Sequence, residues 1–100
     1  MAEIWFVKRE VLPRTAFGMW RLSLNKAPRF PEEYYLAAEI RETGPDDCFS
    51  YLQNRDDSWS DNKHIIAYVN NDRSMSVDDV VIEDGRAFRC ASIGWEEIAT

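Results

Sequence analysis

A β-hairpin in the last quarter of the chain constrains the fold more than any other feature of the sequence. Two segments rich in β-branched and aromatic residues, Val80–Glu83 and Arg86–Cys90, are separated by Asp84 and Gly85. Asp-Gly between two such segments is a strong signal for a tight two-residue turn. The sequence therefore predicts an antiparallel hairpin here and favours a mainly antiparallel sheet as the core of the fold.

Three further segments have the composition of strands. Residues 3–11 and 64–69 are rich in β-branched and aromatic types, and residues 20–25 alternate apolar with polar side chains. Residues 32–43 are ambiguous, because Pro31, the early glutamates and Gly44 suit a helix whereas the alternation of apolar side chains fits a strand. We favour the strand, in which every one of these alternating positions is explained.

A short helix is predicted from Pro45 to about Asn54, since proline and acidic residues suit a first helical turn. The polar segment 55–63 that follows has no periodicity and is predicted to be a surface loop. With 100 residues and 45% hydrophobic content, the chain suits one domain with one core. We expect a single α+β domain over residues 1–100, with an antiparallel sheet of about five strands and one or two short helices on one face.

The amino terminus and the cysteines indicate a cytoplasmic protein. The chain begins Met-Ala-Glu, which lacks the positive charge of a signal peptide, and no apolar run approaches the roughly 20 residues that span a bilayer. Cys48 and Cys90 lie far apart without the spacing of a redox or metal motif, so we expect two buried thiols in a reducing compartment. No membrane partner is expected.

Charge is distributed unevenly along the chain. The net charge is −6, made up of +1 over residues 1–45 and −7 over residues 46–100. Affinity for nucleic acid comes mainly from lysine and arginine, so direct binding to nucleic acid is disfavoured. An acidic second half suits a basic protein partner or a face that imitates the charge of DNA, although such acids also serve solubility alone.

The sequence offers little for catalysis. His64 is the single histidine, and neighbouring acids such as Asp56 and Asp57 do not face each other in a regular helix or strand. The 56–62 loop supplies oxygen ligands, but an EF-hand loop starting at Asp56 would need glycine and glutamate where the chain has Asp61 and Ala67. We therefore predict no enzyme, cofactor or metal. A small metal-binding or enzymatic module centred on His64 and the 56–62 loop stays an alternative.

Trp59 is the unusual residue of the polar loop. A tryptophan held among acids is typical of an interface anchor, but it also suits a lid that folds back over one end of the core. The partner-binding surface predicted from the sequence combines this tryptophan with the acids of the second half: Asp56, Asp57, Trp59, Asp61, Asp72, Asp78 and Asp79.

Two segments of the last third resemble a known family. Residues 73–81 read RSMSVDDVV, and after the hairpin residues 90–98 read CASIGWEEI. This is similar to the "R/H-S-L-S-V-x-D-V-V … G-F/W-x-x-L/I" signature of YodL-like domains, whose members often have glycine or serine at the position of Asp78. Ser74 and Ser76 suit a turn with hydroxyl–backbone hydrogen bonds, and Met75, Val77 and Val80 suit the core, so the motif looks structural. The resemblance implies a phage, plasmid or other mobile genetic element and supplies no active site.

Together these features predict a non-enzymatic accessory protein that binds a host protein. A narrower version is an inhibitor of host defence, of the anti-restriction or anti-CRISPR type, whose carboxylates replace DNA phosphates. That version requires the six aspartates named above to share one face. A third hypothesis is a structural homodimer joined through an edge strand.

Overall fold

A computed structural model describes residues 1–11, 28–41 and 44–98. In these residues six strands form one sheet in which all neighbours are antiparallel. The spatial order is β3-β2-β1-β4-β5-β6. The strands are β1 (Ala2–Val7), β2 (Tyr34–Ile40), β3 (Ile65–Ala67), β4 (Val80–Glu83), β5 (Arg86–Cys90) and β6 (Trp95–Ile98). An α-helix, α1 (Pro45–Tyr51), and a 3-10 helix (Trp59–Asp61) complete a single α+β domain, as predicted.

The hairpin of β4 and β5 is confirmed. Glu83 pairs with Arg86, so Asp84 and Gly85 form the turn by themselves. Their φ angles are 52° and 76°, both in the left-handed region. Two consecutive positive φ angles give the turn a twist that matches that of the flanking strands, which is why this short connection is stable.

The ambiguous segment is a strand, and the helical alternative is wrong. β2 lies between β1 and β3, with Ala2 paired to Ile40 and Val7 paired to Tyr34. A register shift lies between Ile4 and Trp5 of β1. A central strand has its backbone groups hydrogen-bonded on both sides, and this long-range pairing outweighs the local helix signals of Pro31 and Gly44.

Other boundaries differ from the sequence-based expectation. The first strand ends at Val7 instead of residue 11, because the N–H of Val11 donates to the carbonyl of Lys8 at 2.9 Å and closes a turn. The helix ends at Tyr51 and the 64–69 strand is shorter than predicted. The predicted strand at 20–25 lies outside the described residues. β6 was not predicted; its two glutamates pair with Arg86 at 2.8 Å and Arg89 at 3.3 Å on β5.

Apolar side chains are buried on both faces of the sheet. On one face α1, the 3-10 helix and the segment before β4 cover Ile4 and Phe6. On the other face Val7, Val11, Tyr34, Val80 and Ala87 form a second cluster. Successive residues of a strand point to opposite faces, so β1 contributes to both clusters. No helix in the described part of the chain is long and apolar enough to cross a membrane.

We expect Gly85→Ala to lower the free energy of unfolding by about 1–2 kcal/mol, because a Cβ at positive φ is strained. The measurement is urea unfolding followed by tryptophan fluorescence. Gly85→Asn is the matched control, since asparagine tolerates the left-handed region, and it should lose less. Equal losses for the two variants would show that backbone strain is not the cause.

Candidate functional site

The YodL-like segment contains a buried ion pair between Arg73 and Asp79. The two guanidinium nitrogens Nη1 and Nη2 lie 2.6 and 2.8 Å from the Asp79 carboxylate oxygens. The carboxylate also accepts the N–H of Val7 at 2.9 Å and the N–H of Ser76 at 2.8 Å. Four hydrogen bonds therefore satisfy an aspartate that is 0% exposed, as a buried carboxylate requires.

The ion pair connects parts of the chain that are distant in sequence. Arg73 Nη2 also donates to the carbonyl of Val7 at 3.2 Å, and its guanidinium lies 4.5 Å from the centre of the Phe6 ring. Burial raises the pKa of Asp79, while the hydrogen bonds from Arg73, Val7 and Ser76 act in the opposite direction by stabilising the ionised form. The pair joins β1 to the start of β4, and its role is structural.

Removing either partner should be strongly destabilising. We expect Asp79→Asn and Arg73→Met each to lose about 3–5 kcal/mol of unfolding free energy, since each leaves the other group buried without its counter-charge. Denaturant unfolding measures the loss. The double variant should lose less than the sum of the two single losses, because the groups are coupled.

Arg86→Ala, which breaks the exposed pair with Glu97, is the control for that experiment. Exposed ion pairs contribute little, so its effect should be far smaller. Strictly additive losses in the cycle, or single variants as stable as the control, would contradict the structural role of the buried pair.

The serines and apolar residues of the same segment behave partly as predicted. Met75 and Val80 are buried, whereas Val77 is half-buried. Ser76 Oγ accepts from Arg73 Nη1 at 3.3 Å, and Ser74 Oγ accepts the backbone N–H of Asn54 at 2.7 Å. The Ser74 hydroxyl thus ties the loop after α1 to this segment rather than closing its own turn.

Trp59 is not the exposed anchor that the partner-binding hypothesis required. Its side chain is 2% exposed and packs edge-on against Phe6, with ring centres 5.7 Å apart. The indole N–H donates to the carbonyl of Arg73 at 2.7 Å, and the backbone N–H donates to Asn54 Oδ1 at 2.9 Å. The lid interpretation is confirmed: burying a large aromatic surface with its polar atom satisfied folds the loop back onto the core.

The six predicted aspartates do not share one face, so the DNA-imitating surface in that form is corrected. Asp78 and Asp79 are both 0% exposed. Asp78 has φ 79°, in the region that favours glycine, and its backbone N–H donates to the carbonyl of Cys90 at 2.8 Å. Asp72 is half-buried and accepts the hydroxyl of Tyr35, which places it beside a separate groove with Lys8 and Arg9.

Three of the predicted acids do come together. Asp56, Asp57 and Asp61 are exposed and line a groove between α1 and the loop that follows it. We call this the acidic groove. Tyr51, 40% exposed at the end of α1, forms one wall. The other lining residues are Ser50, Gln53, Arg55, Ser58, Trp59 and Asn62.

His64 lies near this groove without joining the acids. It is exposed, and its ring centre lies 6.4 Å from that of Tyr51 at a tilt of 50°. Within residues 1–11, 28–41 and 44–98, no group of three histidine, cysteine, aspartate or glutamate side chains is arranged to hold a metal ion. The metal-binding alternative therefore lacks a formed centre in the described residues.

Two tyrosines were not among the predicted site residues, yet they stabilise the segment around Asp78. The hydroxyl of Tyr34 donates to the carbonyl of Asp78 at 2.6 Å, and burial raises the pKa of Tyr34 to about 12. Burial, and then the hydrogen bond to Asp72, raise the pKa of Tyr35. Sequence carries no signal for these contacts, because their partners are 44 and 37 residues away.

Both cysteines are free and buried, as predicted. Burial raises the pKa of Cys48 to about 12 and that of Cys90 to about 11, so little thiolate exists at neutral pH. Neither thiol is thereby prepared to act as a nucleophile.

We expect both thiols to react with Ellman's reagent at neutral pH much more slowly in the native protein than in denaturant. The reactive thiolate is suppressed by burial, and the reagent must wait for local opening. Absorbance at the dye wavelength follows the reaction. A native rate equal to the denatured rate would contradict the burial of Cys48 and Cys90.

Comparisons of this chain with protein-family models, with curated proteins and with solved structures found no match.

Proposed function

We propose that this chain is a non-enzymatic accessory protein of a phage or plasmid that binds a host protein through the acidic groove. The genetic context rests on the YodL-like resemblance of residues 73–81 and 90–98. The binding role rests on one observation, a concave surface with an exposed aromatic wall and three exposed carboxylates.

The distribution of chemical groups favours binding over catalysis. Arg73 and Asp79, the charged residues of the motif, are engaged with each other in the interior. The thiols are buried and protonated at neutral pH, and His64 stands apart from the carboxylates of the loop. The groups that remain accessible are those suited to contact a partner.

The groove has the composition of a recognition surface for a basic segment. Asp56, Asp57 and Asp61 supply three negative charges against the single positive charge of Arg55. The face of Tyr51 can receive a lysine or arginine side chain, since cations bind favourably over aromatic rings. Complementary charge would mainly speed encounter and restrict the choice of partner.

The loop that carries these acids is held in place by the core. Trp59 anchors its centre, and Ser58 caps the 3-10 helix by accepting the N–H of Ser60. A groove held in one shape needs less ordering when a partner binds, which favours affinity. The narrower hypothesis of a host-defence inhibitor now depends on Asp56, Asp57 and Asp61 without the two buried aspartates.

The test is affinity capture from a host lysate with tagged protein, followed by binding measurements on the purified partner. The triple variant Asp56→Asn, Asp57→Asn, Asp61→Asn should bind about tenfold or more weakly, because three ionic contacts are lost. Binding by the unsubstituted chain should also weaken with added salt.

A matched control removes the same charge elsewhere: Glu10→Gln, Glu32→Gln and Asp84→Asn, all at exposed positions outside the groove. This variant should bind as the unsubstituted chain does. Capture that recovers nothing above background, or equal weakening in the two triple variants, would overturn the proposed function.

A further inference from the structure

The two edges of the sheet differ in their chemistry. At one edge β6 carries Glu96 and Glu97, which pair with arginines of β5. At the other edge β3 pairs with β2 and with no further strand of the described residues. β3 and the residues after it, 65–71, contain no charged side chain. Charges are a usual protection of an open edge, so β3 has less protection than β6.

The side chains at this edge are apolar and exposed. Ile66 is 49% exposed and Tyr68 is 52% exposed. They lie two residues apart and therefore point to the same face of the sheet. The hydroxyl of Tyr68 donates to Glu39 of β2 at 2.8 Å, which holds the ring against the sheet.

Backbone direction at the edge follows from the existing ladder. The N–H of Tyr68 donates to the carbonyl of Ala37 at 2.9 Å, so Tyr68 and, by alternation, Ile66 direct their backbone groups toward β2. Ala67, which lies between them, directs its N–H and its carbonyl outward. These are the groups that an added antiparallel strand would bond.

We propose that the β3 edge joins two copies of this chain in a two-fold symmetric dimer centred on Ala67. In that register the N–H of each Ala67 donates to the Ala67 carbonyl of the second copy. Ile66 then lies opposite Tyr68 of the second copy, and the symmetry repeats this pair. Pairs of an aromatic and a β-branched residue are favourable across antiparallel strands.

Charge selects a second copy as the occupant of this edge. Each copy has a net charge of −6, so most ways of bringing two copies together oppose like charges. Self-pairing of β6 would oppose glutamates. In the β3 register Asp61 faces the position of Arg73, and residues 65–69 place no charge against charge. The contact is small, which fits a weak dimer in rapid exchange with the monomer.

Sedimentation equilibrium over a wide range of protein concentration tests the dimer. The weight-average mass should rise from that of one chain towards that of two, and added salt should favour the dimer by screening the repulsion between copies. Salt has the opposite effect on a complex formed through the acidic groove, so this result is independent of the proposed function. A single-chain mass at every concentration and salt level would overturn the dimer.

Substitutions locate the interface and its register. Ile66→Lys should raise the dimer dissociation constant at least about tenfold, because symmetry removes two cross-strand pairs. Ile93→Lys, an identical change at a side chain that is 93% exposed near the other edge, should leave dimerisation unchanged. Dissociation caused by Ile93→Lys instead of Ile66→Lys would overturn the assignment.

A charge-reversal pair provides the sharpest outcome. Ile66→Lys and Tyr68→Glu should each dimerise poorly alone, yet a mixture of the two should form a heterodimer, because the register places positions 66 and 68 opposite each other. Circular dichroism confirms that each variant is folded. Folded variants whose mixture shows no heterodimer would overturn the proposed register.

Discussion

The ion pair between Arg73 and Asp79 is the interaction on which the rest of the structure depends. It is formed where the last turn of a loop meets β4, yet its hydrogen bonds reach Val7 at the end of β1. The carbonyl of Arg73 also accepts the indole N–H of Trp59, so the same residue holds the polar loop against the core. A fully buried carboxylate is stable when every acceptor site is satisfied, and this requirement fixes the loop, the lid and two strands relative to one another.

Because the motif is used in the interior, the accessible chemistry of the described residues lies elsewhere. One surface is the acidic groove, in which Asp56, Asp57 and Asp61 surround Tyr51. Another is the uncharged edge of β3 with Ile66 and Tyr68. The first surface suits a basic partner and the second suits a copy of the chain itself. Their opposite dependence on salt follows from the same net charge of −6.

Much of the fold could be predicted from local pattern. The hairpin at Asp84 and Gly85 was predictable because turn chemistry acts over two residues, and β2 because strict alternation fits a sheet with two packed faces. β6 escaped prediction since Glu96 and Glu97 weaken its strand signal, and its pairing depends on arginines of β5. Of the predicted contact residues, Asp56, Asp57 and Asp61 came together; Trp59, Asp78 and Asp79 did not reach the surface.

The sequence by itself determined the strand periodicity, the hairpin turn, the start of α1 and the acidic character of the second half. These properties depend on residue types and on neighbours within a few positions. Tertiary structure decided which acids are accessible: Asp57 and Asp79 are the same residue type, but the second is covered and bonded by Val7, 72 residues away. Burial and hydrogen bonding across such separations depend on which segments meet in space, and local pattern does not specify that meeting.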